Sequence, residues 1–523
     1  MSEEYILVND VGTTGTRAVI YNGDADVVAE VYSELKQIFP RPGWTEQDPF
    51  DIYDKCVEVT GKALEKADLT AADISGMGIA TQRATSMLWD RKTGEPVYNF
   101  ITWQDTRMSD ECERINRAFL FKMLHVSGGA YQRIARLSKS LKRNTVGKLL
   151  ITAGHFTVTP AMSSAHVRWV LDNVDGAAEK AAAGDLLFGT VDTWLVWKYT
   201  KGQVHASDFS NISATGMYDP FGMTWSSLLL KPFGLPGGVV LPELRETSGD
   251  FGRTDVFGSP IPIRCVVADQ QAALFGETCF EAGSVKCTNG TGTFIDMNTG
   301  DEPLASINKL TPLIAWKMDG KTTYMMEGII SSAGSSVQFL RDNLHLIERA
   351  SDSEDCSFRC EDSGGVYVVP AFTGLTAPYW DPYARGTVIG LTRASSRDQI
   401  VRATLESIAY QCKDVVMAME LDTGIEVMGI KADGGASGND FLMQFLADIL
   451  DTDVERPEVL EATALGAAYF TGIAAGHWKY PDDILRIHRV EKKFKPDMPT
   501  AMRDTLYAGW KKAVGRAQRW ANI

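Results

Sequence analysis

Apolar runs punctuated by glycine, threonine and charged residues recur along this 523-residue chain at two spacings, one suited to strands and one to helices. Tyr5-Ile-Leu-Val-Asn9 and the run from Arg17 to Tyr21 are short and apolar, and Gly12, Thr13, Thr14 and Gly15 between them have the composition of a tight turn. Phe50, Tyr53, Cys56, Val57, Thr60, Ala63 and Leu64 then fall near one helical face, and Gly76-Met-Gly-Ile-Ala80 reads as the next strand. Strands alternating with amphipathic helices predict an α/β domain. The theme returns later, where Ser284 to Thr288 and Phe294 to Asn298 flank a second turn, Gly290-Thr291-Gly292-Thr293. This weak repeat predicts two similarly built α/β units, 1–277 and 278–523, each opening with a hairpin that faces a shared cleft. Two further helical patterns serve as scaffold. From Gln399 to about Glu420, Leu405, Ile408, Cys412, Val415 and Val416 point inward while Arg402, Glu406, Lys413 and Asp414 suit a polar face; Leu465-Gly466-Ala467-Ala468 predicts close helix packing.

Bulk numbers narrow the picture. The length exceeds one ordinary core, so roughly two large domains are expected. With 44% hydrophobic and 23% charged residues the composition is that of a globular protein, and no apolar run reaches the about 18 residues needed to span a bilayer. The opening Met-Ser-Glu-Glu has neither a basic nor an apolar signal region, and the eight cysteines lack zinc spacing, so a reduced, cytoplasmic protein is the expectation. A formal charge of −15 argues against broad nucleic-acid binding. One local exception is a basic stripe, Arg133, Arg136, Lys139, Lys142, Arg143 and Lys148, interleaved with Ile134, Leu137 and Leu141 near helical spacing. It reads as the solvated face of a surface insertion, or as a surface for an anionic effector or partner.

The turns carry the candidate chemistry. Asp10 ends an apolar strand and opens a Gly/Thr hairpin, where it can reach a divalent cation through water while small residues let backbone and hydroxyl groups approach an anion. Such residues also serve ordinary turns, and both readings stand for this hairpin alone. A third element, Lys431-Ala-Asp-Gly434-Gly435-Ala-Ser-Gly438-Asn439, joins a strand over Val427 to Ala432 to a helix beginning near Asp440. Its glycines and helix N-terminus suit phosphate, and Asn439 can bond a purine or cap the helix. Three such elements together point to an ATP-binding two-domain enzyme.

With these elements in place the chain resembles the FGGY carbohydrate kinase family, specifically its glycerol kinase branch, nearly end to end. The resemblance rests on Pro42-Gly-Trp-Thr-Glu-Gln-Asp-Pro49, Phe188-Gly-Thr-Val-Asp-Thr-Trp194, Ala268-Asp-Gln-Gln-Ala-Ala-Leu-Phe-Gly276, Phe372-Thr-Gly-Leu-Thr-Ala-Pro-Tyr-Trp-Asp-Pro-Tyr383 and Glu406-Ser-Ile-Ala-Tyr410. It implies two RNase H/actin-like ATPase domains that close over a polyol or sugar and ATP. It also implies that Asp269, which closes the apolar run Ile263 to Ala268, is the catalytic base, and that Asp10 and Asp269 organise Mg2+, Asp10 through water. By the same resemblance Thr13, Thr14, Arg17, Thr291, Gly334, Gln338, Gly435 and Asn439 bind nucleotide, and Arg83, Trp103, Asp269, Gln270 and Phe294 bind the acceptor. A homo-oligomer is a further family expectation.

The acceptor pocket departs from the pattern. Glycerol kinases carry a glutamate after the arginine of their Gln-Arg pair, whereas Gln82-Arg83 is followed here by Ala84, which leaves Arg83 without a neighbouring acid. A glycerol-binding tyrosine is replaced in the best register by Ala161, after an inserted segment that ends near Val158. These replacements, with Gln82-Arg-Ala-Thr85, Trp103-Gln-Asp105 and Asp208-Phe-Ser-Asn-Ile-Ser-Ala-Thr-Gly216, resemble the atypical glycerol kinase 5 subgroup. The expected activity is ATP-dependent phosphoryl transfer to a polyol or sugar hydroxyl, with glycerol the leading acceptor. A kinase for a larger polyol or ketose, a non-catalytic nucleotide and metabolite sensor, and an actin-like or chaperone ATPase are the alternatives.

Overall fold

The computed structural model describes residues 5–135, 141, 143–226, 230, 238–459 and 461–521. Two large sheets organise the chain. The first runs Arg253–Thr254, Ile261–Ala268, Ile74–Thr81, Tyr5–Val11, Gly15–Tyr21 and Val27–Glu34. The second runs Thr311–Met318, Lys321–Ile330, Thr293–Gly300, Ser284–Asn289, Gly429–Asp433, Val454–Pro457 and Val490–Phe494.

The predicted repeat is visible in their wiring. Tyr5–Val11 pairs antiparallel with the strand that follows its hairpin and parallel with Ile74–Thr81, which arrives after the helix Pro49–Lys66. Ser284–Asn289 does the same with Thr293–Gly300 and, after the helix Arg397–Thr423, with Gly429–Asp433. A parallel pair needs such a long crossover, which explains why a helix separates these strands in the sequence.

Two helical faces differ from the expectation. In Pro49–Lys66 the buried set is Pro49, Ile52, Cys56, Val59, Thr60, Ala63 and Leu64, while Phe50 is exposed and Tyr53 and Val57 are half-buried. In Arg397–Thr423 both Glu406 and Asp414 lie inside. Asp414 is buried because it accepts hydrogen bonds from the hydroxyls of Tyr379 and Tyr507, from Trp510 Nε1 and from Lys511, and Glu406 because it is paired with Arg402. A buried carboxylate is tolerated when several donors satisfy it, and periodicity cannot see donors that arrive from distant segments.

The predicted close packing at Leu465-Gly-Ala-Ala is present, and it links the halves. In the helix Ala462–Ala475, a Cβ on Gly466 would come within 1.8 Å of the Ala272 carbonyl, so this helix can lie directly against Asp269–Gly276 only with glycine there. Ile6, Val8, Val267 and Phe275 from the first half share one apolar cluster with Ala467, Phe470 and Trp316 from the second, and Phe275 stacks on Phe470 with ring centroids 3.8 Å apart. The strand that leads into Asp269 therefore has a backing drawn from both halves.

Of the basic stripe, Arg136, Leu137, Lys139 and Lys142 lie outside the described residues. Arg133 is exposed and Arg143 faces Glu302, but Lys148 is buried, which corrects the expectation of a fully solvated face. Among the described residues no helix is long and apolar enough to cross a membrane. All eight cysteines are free thiols.

Candidate active site between the two sheets

The first turn is held by side chains from later in the chain. Gln47 Nε2 donates to the Thr13 carbonyl at 2.8 Å, Trp103 Nε1 to Thr13 Oγ1 at 3.0 Å, and Gln82 Nε2 to Gln47 Oε1 at 2.8 Å. Asp48, the next residue after Gln47, caps the helix Pro49–Lys66. The motif 42–49 thus anchors the turn to a helix start. Gly15 serves close approach: a Cβ there would meet the Tyr32 hydroxyl at 2.2 Å. Thr14 stays exposed and Thr13 half-exposed.

Asp10 and Arg17 face each other across the hairpin, with Arg17 Nε 3.5 Å from Asp10 Oδ2. Arg17 is further fixed by Glu30 at 3.3 Å and by Glu461 at 3.0 Å, the residue that precedes the helix Ala462–Ala475. Burial pushes the Asp10 carboxyl up to about 7 against the pull of Arg17, and the charge of Asp269 adds to the rise. The two carboxylates are close enough to repel. They suit Mg2+, which takes one or two carboxylates together with waters and substrate phosphates. Among the described residues no group of three or more His, Cys, Asp or Glu could hold a metal ion.

Asp269 begins a helix at the end of the strand Ile261–Ala268. The Gln270 backbone N–H donates to its Oδ1 at 2.7 Å and Arg83 Nε lies 3.5 Å from the same oxygen, so neither contact engages Oδ2. Burial raises its affinity for a proton, while Arg83 and the Gln270 bond oppose that shift. A carboxylate so placed can accept a proton from a substrate hydroxyl.

The acceptor side corrects the sequence reading of Arg83. Its guanidinium is paired with Glu327 of the second sheet, Nη2 to Oε2 at 2.6 Å, and lies over the Phe294 ring at 5.8 Å. The acid missing at Ala84 is supplied from more than two hundred positions away. Glu327 belongs to a row of directly opposed residues across the second sheet: Lys431, Lys286, Asp296 and Glu327. Lys286 bonds Asp296 at 2.7 Å, both fully buried, and donates to Gln270 Oε1 at 2.6 Å. Two residues expected at the acceptor, Arg83 and Gln270, are thereby clamped onto one ionic row. Burial pushes the Glu327 carboxyl up even against Arg83. Local motifs cannot show this row; the available signal is a charged residue within each of four strands, which gains meaning only once the register is known.

Ala84 has φ of 62° and is buried, and its carbonyl accepts from Ser163 Oγ at 3.0 Å. That bond brings the turn Thr159 to Met162, including half-buried Ala161, against Ala84.

The second and third phosphate-style elements meet on the other side. The N–H of Gly334, which starts the helix Gly334–Asp342, donates to the Gly290 carbonyl at 3.0 Å, and that of Ser335 to Thr291 at 3.0 Å. Thr291 and Gly334 are therefore adjacent, and both Thr291 and Gln338 are exposed. Gly434 adopts φ of 84°, and a Cβ there would fall 2.8 Å from the Asn289 carbonyl, so this corner is tied to the second hairpin. Gly435 is exposed beside it. Asn439 caps the helix Asp440–Leu450, its Oδ1 accepting from the Leu442 N–H at 2.9 Å, which is the capping reading of that residue.

Comparison with known proteins gives this geometry a context. The model of the FGGY family of carbohydrate kinases, N-terminal domain, matches residues 5–132 and 127–276, and that of the C-terminal domain matches 285–475. This chain belongs to the FGGY family of carbohydrate kinases. Curated relatives named glycerol kinase include those of Petrotoga mobilis, 46% identical over 520 residues, and Caldanaerobacter subterraneus subsp. tengcongensis, 44% identical over 521, each covering 99% of both chains. The crystal structure of Plasmodium falciparum glycerol kinase with ADP superposes with a TM-score of 0.87 at 30% identity, covering 98% of each chain. A gluconate kinase from Lactobacillus acidophilus shares the fold, with a TM-score of 0.81 at 20% identity over 99% of this chain and 97% of that one. The FGGY chain described here has the two-domain actin-like ATPase architecture of these kinases, and it is an ATP-dependent carbohydrate kinase.

Proposed function

We propose that this chain transfers the γ-phosphate of ATP to a hydroxyl of glycerol, giving glycerol 3-phosphate. The observation that carries this reading is full-length similarity to proteins named glycerol kinase, at 44% and 46% identity. The site supports it. Asp269 takes the proton of the attacking hydroxyl through Oδ2 while Gln270 and Arg83 hold Oδ1. Arg83, Trp103, Gln270 and Phe294 line the acceptor position. Asp10 and Asp269 would hold Mg2+, which would supply charge neutralisation at the phosphates. Thr13, Thr14 and Arg17 attend the phosphates from the first unit, 1–277; Thr291, Gly334, Gln338, Gly435 and Asn439 attend the nucleotide from the second, 278–523. The cytoplasm is the compartment we assign, and a homo-oligomer the assembly.

A second reading has its own support. Alanines at 84 and 161, in two segments joined by the Ser163 bond, are smaller than the glutamate and tyrosine that the resemblance expects there, which favours a larger polyol or ketose. An ATP-consumption screen over glycerol, tetritols, pentitols and common ketoses decides between the two. The highest kcat/KM for glycerol supports the first; a larger acceptor preferred by tenfold or more overturns it.

A further inference from the structure

The helix Phe119–Ala135 contributes no residue to the proposed phosphoryl transfer. It packs one side against Thr145–Ala153. Phe121, Gly128 and Ala135 face inward, and a Cβ on Gly128 would fall 2.3 Å from the Gly154 nitrogen. The opposite side carries Phe119, Met123, Val126, Ala130 and Ile134 at spacings of four, three, four and four, and every one is exposed; Phe119 is 78% and Val126 74% open. A helix of this length presents a stripe about 25 Å long. Lys122 and Arg133, each one residue before a stripe residue, both line the same edge of it and are also exposed.

Charge singles out the same segment. Within Phe119–Ala135 the charged residues are Lys122 and Arg133, with no Asp or Glu, in a chain whose formal charge is −15. An apolar stripe edged by cations is the pattern of a helix that lies in the plane of an anionic lipid surface, where apolar side chains enter the acyl boundary and cations meet headgroups. Two copies meeting antiparallel through this stripe would oppose their basic edges. We propose that Phe119–Ala135 docks this protein on anionic lipid bilayers, with the stripe Phe119, Met123, Val126 and Ile134 inserted at the interface.

The test is co-sedimentation of the full chain with vesicles of phosphatidylcholine alone and of phosphatidylcholine with about one third phosphatidylserine, at low and high salt. The expected result is sedimentation with the anionic vesicles, reduced by salt and at least about tenfold weaker for Met123→Asp/Val126→Asp, whose sites are exposed and whose thermal unfolding and kinase activity stay unchanged. Lys122→Glu/Arg133→Glu is expected to weaken binding to anionic vesicles selectively. No sedimentation with anionic vesicles overturns the proposal, as does equal sedimentation of the Asp variant. Concentration-dependent self-association that the Asp variant abolishes, without vesicle binding, also overturns it and assigns the stripe to a second copy of the chain.

Discussion

The two hairpins have the same strand pairing and opposite uses of charge. Beside the first, Asp10 and Arg17 pair across the hairpin and the turn is held by side chains, Gln47, Gln82 and Trp103. Behind the second, the charges are sunk into the sheet as the Lys286, Asp296 and Glu327 row, and the turn is held by backbone bonds from Gly334 and Ser335. In the function proposed above, the first arrangement presents ionisable groups to phosphate and metal. The second fastens Arg83 and Gln270 of the facing half at fixed positions. One wiring thus serves chemistry in one half and alignment in the other, and the division can be broken at several points.

The largest expected effect is at Asp269. Asp269→Asn keeps the size of the side chain and removes the proton acceptor, so kcat is expected to fall about 10²–10⁴-fold while ATP binding and thermal unfolding hardly change. Steady-state kinetics beside ATP titration of the same preparation check it; near-normal turnover removes the assigned role.

Next comes the row that serves alignment. Glu327→Gln leaves Arg83 charged and half-paired, and breaking a buried pair costs about 3–5 kcal/mol, seen as a lower melting temperature together with about tenfold or more loss in acceptor kcat/KM. Adding Ala84→Glu to that variant returns an acid to Arg83 from the other side and is expected to recover part of the acceptor kcat/KM. In the otherwise unchanged protein, Ala84→Glu adds a buried carboxylate beside a guanidinium that already has one, and a gain in glycerol kcat/KM there speaks against Glu327 as the partner of Arg83.

A pH experiment separates the hairpins further. The Asp10 carboxyl is raised to about 7 in the folded chain. A raised acid contributes stability that is fully present below its unfolded value, about 4, and is lost as pH rises through about 7. Without metal, the melting temperature is therefore expected to decline across that window, and less so in Asp10→Asn. Mg2+ with ATP favours the ionised form, so binding near pH 7 releases a proton, detectable by calorimetry in buffers of different ionisation enthalpy. Equal slopes for both proteins exclude Asp10 as the titrating group.

The smallest effect concerns Asn439. As a cap its replacement by Ala costs about 0.5–2 kcal/mol of stability. A lower melting temperature with ATP KM changed less than threefold assigns the side chain to the helix; an unchanged melting temperature with a large rise in KM assigns it to the nucleotide.

Sequence periodicity and turn composition were enough to place both hairpins, the strand ahead of Asp269 and the packing at Gly466, because each depends on neighbours a few residues apart. The FGGY motifs added the family. Only the tertiary structure decided the charges. Asp414 suits a polar face by periodicity yet is buried, because its donors come from Tyr379, Tyr507 and Trp510, whereas buried Glu406 pairs with Arg402 one turn away on the same helix. Arg83 has no neighbouring acid in the sequence and has one in Glu327, because strand register, set by backbone pairing over hundreds of residues, places that carboxylate beside it. Burial of an ionised group is favourable only with its partners in place, and partners that converge from distant segments leave no local trace in the chain.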